Sequence, residues 1–207
     1  MMLSTVLREA TAVAHDRAER SEFVADLMDG KLDADAYRQL AIQLFYVYEA
    51  LEAVGGRLAD DPIVAPMIDE RLGRIERLRS DLQVLGLDEG WQTTHPASPA
   101  TAAYVSDIES TVTDPPTYVA HHYTRYLGDL SGGQVIRSRM KLHYGLTDEA
   151  LTFYDFSDIG KLKPYKDSYR DRLDGLPIDA ATRDRIAAAA VRAFEHNEAL
   201  FGDLVAS

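Results

Sequence analysis

The sequence predicts an all-α fold. Apolar residues recur at helical spacing along nearly the whole chain, no segment sustains strict alternation between hairpin turns, and helix caps punctuate the pattern. At 207 residues, 46% of them hydrophobic, the chain suits a single domain over 1–207 with a substantial core.

Taken in order, the first helix is expected from about Ser4 to Arg20, with Leu3, Leu7, Ala10, Ala14 and Ala18 on one stripe. A short segment holding Phe23, Val24 and Leu27 stops at Gly30. Asp33 is placed to cap a long helix, AYRQLAIQLFYVYEALEAVGGRL, whose density of Leu, Phe and Tyr marks it as central. After Asp60-Asp61-Pro62 a further helix should reach about Leu85, with alternating charge on its outer face. GLDEGWQTTHP then connects to Ser98-Pro99, an N-cap followed by proline at the first helical position. Asp114-Pro115 repeats that device before a long helix ending at Gly145. A short helix near Asp148 to Tyr154, one from about Pro164 to Leu173, and a last from Asp179 to about Leu204 complete the order, without repeats or a domain-dividing linker.

The net charge of -12, from 34 acidic and 22 basic side chains, argues against nonspecific attraction to nucleic acid or anionic membrane, so any anion site is built locally. With no cysteine there is no disulfide, thiolate ligand or cysteine nucleophile. The N-terminus lacks a signal-peptide pattern, and no stretch approaches the roughly 20 apolar residues of a membrane span. A cytoplasmic protein without a membrane anchor is expected.

The stretch YTRYLGDLSGGQVIRSRM looks helical yet holds Gly128, Gly132 and Gly133, each costing roughly 1 kcal/mol relative to alanine. It is not a phosphate loop: Gln134 and Val135 stand where Lys and Ser/Thr would be needed. Gly128 and Gly132 are four apart and share one helix face, with Gly133 on its flank. Two readings stay open on spacing: close helix packing or a kink, and a broad flat ligand lying on bare backbone. In the second, Asp129 and Ser131 edge the pocket, with Arg125 and Tyr123 one turn earlier.

His15 and Glu19 are an i, i+4 pair, so the carboxylate can steady the imidazole and raise its basicity as a metal ligand; a half-exposed histidine on an amphipathic helix is the plainer alternative. His121 and His122 point about 100° apart and cannot chelate one ion, so they are assigned to packing or capping. Glu-x-x-His motifs of a di-iron bundle are missing. In KLKPYKDSYRDR, Lys166 and Arg170 can reach one anionic group from the same side, beside Tyr169; a solvated face is the alternative, since Asp167 and Asp171 alternate with them.

Together these residues resemble the haem oxygenases. YTRYLGDLSGGQ is similar to the family's distal-helix signature, LREATAVAHDRAE to its proximal helix, and YKDSYRDRL and AFEHNEALF to its C-terminal segments, in the right order from about residue 3 to 204. The resemblance implies an all-helical fold holding haem between proximal and distal helices. His15 would be the axial iron ligand, steadied by Glu19. Gly128 and Gly132 would make room for the macrocycle and for dioxygen, crowding the oxygen toward the α-meso carbon. Asp129 would anchor a water network that protonates the iron-bound oxygen, with Tyr48, Tyr123 and Arg125 tied to it and Thr124 and Ser131 nearby. Lys166 and Arg170 would pair with the haem propionates, helped by Arg8 and Tyr123, while Phe194 and Asn197 match C-terminal pocket and network positions.

The activity so implied uses haem as substrate and cofactor and dioxygen as co-substrate, yielding biliverdin, carbon monoxide and ferrous iron. Electrons would come from a ferredoxin or NAD(P)H-dependent reductase. Iron recovery from haem or bilin supply would be the use of such an enzyme, which looks like a soluble bacterial type. Arg8 stands where many members have Lys, keeping the charge and changing its geometry. A haem carrier would not need Asp129, and a thiaminase-type hydrolase of this architecture would need a cysteine.

Overall fold

Caps and glycines set most helix boundaries in the computed structural model, which describes residues 1–205. Helix α1 spans Leu3–Glu19 and α2 spans Glu22–Met28, after which Gly30 adopts a positive φ of 72°. Asp33 caps α3 (Ala34–Arg57) by accepting from the Ala36 amide, and Ser98 caps α5 (Pro99–Ser110) by accepting from the Thr101 amide. The buried stripe of α1 is Leu3, Leu7, Thr11, Ala14 and Ala18. Ala10 is exposed, and the position expected for it goes to Thr11, whose hydroxyl donates to the Leu7 carbonyl and so hides its polarity.

The helix expected from Pro62 starts only at Ile75. Asp61 accepts from the Ile63 and Val64 amides, Pro66 withholds an N–H, and Asp69 accepts from the Arg71 amide, so Ala65–Met67 and Glu70–Leu72 form single 3-10 turns. Helix α4 (Ile75–Val84) has no side-chain cap from its own N-cap residue; Glu52 of α3 accepts from the Arg74 and Ile75 amides in its place. Arg74 belongs to no solvated face. Its buried guanidinium donates to the carbonyls of Arg71, Leu72, Gly73, Phe153 and Asp155, and lies 4.0 Å from the Phe156 ring centroid. Asp81, also fully buried, accepts from the Thr152 and Phe153 amides. These two charges fix residues 148–156, where Asp148–Ala150 and Thr152–Tyr154 are 3-10 turns in place of the expected short helix.

The long helix expected from Pro115 to Gly145 is also divided. Helix α6 (Pro115–His122) passes into π-type turns over Tyr123–Leu127 and Asp129–Gly133, then α7 (Gln134–Tyr144) ends at Gly145 with φ 64°. Asp114 does not cap with its side chain, which lies 3.4 Å from Arg185; its carbonyl accepts from the Thr117 amide and hydroxyl instead. Helices α8 (Leu162–Asp174) and α9 (Ala180–Val205) close the order, and no strand occurs among the described residues.

Helix α9 packs against α1, α6 and α5, while α3 packs against α5 and α4. The small side chains of Ala189, Ala190 and Ala193, all fully buried, let these neighbours approach α9 closely. Leu7, Phe45, Leu51 and Ile186 are buried in a continuous apolar core, each contributing about 1.5–3 kcal/mol on burial. Two consequences matter for the site: α1 is held by the last helix, and the π turns are backed by α3.

A cleft between the first helix and a π-turn wall

Between α1 and the π turns lies a cleft of about 640 Å³, lined mainly by apolar groups from Leu40, Leu44, Leu127, Ile136 and Phe201. That volume and lining suit a small-molecule site. His15 and Glu19 stand on the α1 side, and Gly128, Asp129 and Gly132 stand on the other.

On the α1 side the His15 side chain is 48% exposed and its Nδ1 lies 3.5 Å from Glu19 Oε2. Its ring meets Phe194 edge-on at 5.3 Å between centroids. With Nδ1 turned to Glu19, Nε2 is the ring nitrogen available to a ligand. Among the described residues no group of three or more His, Asp or Glu could hold a metal ion.

The opposite wall separates its glycines. A Cβ added at Gly128 or Gly132 would meet nothing within 4 Å, whereas one at Gly133 would lie 2.9 Å from Tyr154 Cδ1. Gly128 and Gly132 therefore keep open space beside the backbone, and Gly133 permits close packing. The packing reading applies to Gly133, and Gly128 and Gly132 leave the space that the ligand reading requires. The π turns carry extra residues per turn, which the i, i+4 reading of the glycine face did not include.

Behind this wall the structure brings Asp129, Arg125, Tyr48 and Asn197 together. The Tyr48 hydroxyl donates to Asp129 Oδ2, Arg125 Nη2 lies 3.5 Å from Asp129 Oδ1, Arg125 Nε donates to Tyr48 at 3.3 Å, and Arg125 Nη1 donates to Asn197 Oδ1 at 2.7 Å. All four residues are buried. Burial raises the Asp129 pKa above the ordinary carboxylate value, opposed by Arg125 and the Tyr48 hydrogen bond. Burial also works against the Arg125 charge, but Tyr48, Asp129 and Tyr104 outweigh it and Arg125 stays a fixed cation. The result is a buried carboxyl, shifted upward by burial, at the edge of an apolar cleft.

Arg8, Tyr123, Thr124, Ser131, Phe194 and Asn197 also line the cleft. Thr124 is buried with a hydroxyl that has no hydrogen-bond partner. Lys166 and Arg170 are not brought into the lining: Lys166 donates to Ser131 at 3.3 Å and Arg170 pairs with Asp167 at 3.1 Å, both at the edge. His121 and His122 are packing groups, fully buried, as their spacing predicts. Burial lowers their pKa values to about 4 and about 3.

Sequence reasoning missed Tyr154, which lines the cleft and packs on Gly133, and the apolar residues Leu40, Leu44 and Ile136. No sequence signal marks these as lining residues, because an apolar side chain facing a cleft and one facing the core look the same in a periodic pattern.

Comparison with known proteins places this geometry. The family model "Heme oxygenase" matches residues 1–203. Heme oxygenase 1 of Synechocystis is 37% identical over 203 residues, covering 98% of this chain and 84% of the relative. The crystal structure of haem oxygenase-1 from that cyanobacterium, in complex with haem, superposes with a TM-score of 0.92 at 36% identity, covering 100% of this chain and 95% of the other. Haem oxygenase from Leptospira interrogans gives a TM-score of 0.93 at 33% identity over 98% of this chain and all of its own. On family model, sequence and fold together, the chain belongs to the haem oxygenase family.

Proposed function

We infer that this chain is a haem-degrading monooxygenase, a single haem oxygenase domain that cleaves haem at the α-meso carbon to biliverdin, carbon monoxide and ferrous iron. One observation carries the reading: bare backbone at Gly128 and Gly132 faces His15 across an apolar cleft, with the buried Asp129 carboxyl beside the glycines. The residues fit haem, since the two glycines leave a cradle that any Cβ would narrow and the single imidazole presents Nε2. Bound haem supplies the iron that activates dioxygen and the carbon that is oxidised.

The chain's own residues do the rest. His15 holds the substrate from the α1 side, with Glu19 orienting its ring through Nδ1. Leu127, Ile136 and Phe201 exclude bulk water from the ring faces. Arg125 and Tyr48 hold Asp129 in place, and Asp129 would anchor the water that hands protons to the bound substrate, a role supported by its raised pKa and its position at the cleft. Asn197 locks Arg125 at 2.7 Å. At the rim, Arg8, Lys166, Arg170 and Tyr123 are the polar groups available to the propionates. Burial raises the Tyr123 pKa, with Arg170, a hydrogen bond to Thr11 and Arg8 opposing.

Electrons would come from a ferredoxin or reductase that meets this rim. The same reading proposes a cytoplasmic site of action, and iron recovery from haem or bilin supply as the use of the products. No helix among the described residues is long and apolar enough to cross a membrane. The test is haem, dioxygen and a reducing system: biliverdin IXα and carbon monoxide are expected, and a stable Soret band without either product overturns the reading.

A further inference from the structure

His122 lies outside the cleft lining and plays no part in the chemistry above, yet it sits where α6 gives way to the π turns. Its Nδ1 is hydrogen-bonded to the Tyr169 hydroxyl at 2.8 Å, with both side chains buried and their rings within 10° of parallel. Tyr169 belongs to α8, three residues after Lys166 and one before Arg170. The same imidazole packs on Tyr126 at 4.5 Å between centroids, inside the first π turn, and the Tyr126 hydroxyl lies 3.5 Å from Glu52 Oε1. A chain of contacts thus runs from α8 through His122 and Tyr126 to α3.

We propose that the His122–Tyr169 pair is a positioning clasp that fixes the rim cations Lys166 and Arg170 relative to the π-turn wall, and so fixes how the substrate is seated in its own plane. The proposal rests on the haem reading above. Two ties join α8 to this wall. One is Lys166 to Ser131, at the cleft edge, which opens when Lys166 turns to an anionic ligand. The other is the buried clasp, which no ligand competes for. Once the lysine is engaged by substrate, the clasp is the tie that keeps α8 in register with Gly128 and Gly132. Tyr169 and Arg170 are adjacent on one helix, so a displacement of α8 at Tyr169 also moves the backbone that carries the cation.

Removing the hydroxyl leaves the packed ring in place, so Tyr169→Phe tests seating with little change in volume. His122→Ala removes the other half, and His122→Asn keeps a polar atom near the place of Nδ1. Proton NMR of the ferric haem complex, haem titration, product isomer analysis and melting temperature are measured for wild type and all three variants. Tyr169→Phe and His122→Ala are expected to show additional haem methyl resonances relative to wild type, haem affinity lower by roughly 3- to 10-fold, as befits one net buried hydrogen bond, and a mixture of biliverdin isomers. KM should rise with kcat within about twofold, because the reacting groups are untouched. His122→Asn should restore the wild-type resonance pattern.

An unchanged resonance pattern and affinity in Tyr169→Phe overturns the clasp. So does an equal defect in all three variants that tracks their melting temperatures, which would mark a general packing role. A wild type that binds haem without forming biliverdin overturns the proposed activity, and the NMR pattern then still decides the clasp. A wild type that binds no haem overturns both.

Discussion

The two walls of the cleft differ in how they hold their polar groups. On α1, His15 and Glu19 are 48% and 62% exposed at the side chain and meet at 3.5 Å; on the π-turn wall, Asp129 and Arg125 are each 10% exposed and share Tyr48, while Arg125 also donates to Asn197. Water screens the first pair and is excluded from the second, so equal chemical changes should cost unequal amounts. On the proposed reading, the exposed wall admits the ligand and the buried wall holds a proton at a fixed place.

The largest test of that contrast is Asp129→Asn, which keeps shape and removes the acid. It should lower the rate of ring opening by roughly 10²- to 10⁴-fold while haem still binds; retention of biliverdin formation within threefold would erase the distinction between the walls. Next comes acid stability. Burial lowers His121 to about 4 and His122 to about 3, below the ordinary histidine value, so the unfolded chain binds more protons as pH falls. Stability present above about pH 6.5 should decline toward pH 3, by a few kcal/mol in all. Urea midpoints across that range should drop, with a shallower slope in a His121→Asn, His122→Asn variant.

Smaller effects divide the glycines. Gly133→Ala drives a Cβ to 2.9 Å from Tyr154 and should cost about 1–3 kcal/mol by thermal or urea unfolding. Gly128→Ala meets nothing within 4 Å and should leave the haem-free protein equally stable or up to about 1 kcal/mol more stable, while reducing turnover by narrowing the space over the substrate. A pair of equal, same-sign stability changes would refute this division. The smallest effect belongs to the exposed wall: Glu19→Gln should weaken haem binding by only about 2- to 5-fold, in keeping with a screened pair worth about 0.2–1 kcal/mol. A loss beyond 100-fold would show that Glu19 is far better shielded than its exposure indicates.

Legibility in the sequence followed local chemistry. Asp33, Ser98 and Gly145 announced their boundaries because a cap acts on amides or a φ angle within a few residues of itself. The start of α4 could not be read this way. It depends on Glu52 from another helix and on Arg74, whose acceptors at Phe153 and Asp155 are about 80 residues downstream. Charge alternation made Arg74 look solvated, since nothing nearby in sequence discloses five buried carbonyl acceptors.

The site divided in the same way. His15 with Glu19 was visible as a pair on one regular helix, and the glycine stretch stood out by its composition. Its π geometry did not, because a 3.6-residue period was the only ruler available. Tyr48, Arg125 and Asn197 were placed by resemblance, and no spacing rule joins residues from α3, the π turns and α9 into one network. Lys166 and Arg170 match the i, i+4 logic in separation, yet they turn to Ser131 and Asp167.

The packing of α1 against α9 also bears on how the protein comes into being. The helix that carries His15 precedes in the chain the helix it packs against most extensively. During synthesis α1 therefore lacks its main packing partner until the alanine-rich α9 has been made, and on the proposed reading His15 is fully braced for its ligand only then. Nascent chains released before Ala180 should give no haem–imidazole spectrum; a normal one would show that α1 can dock without its late partner.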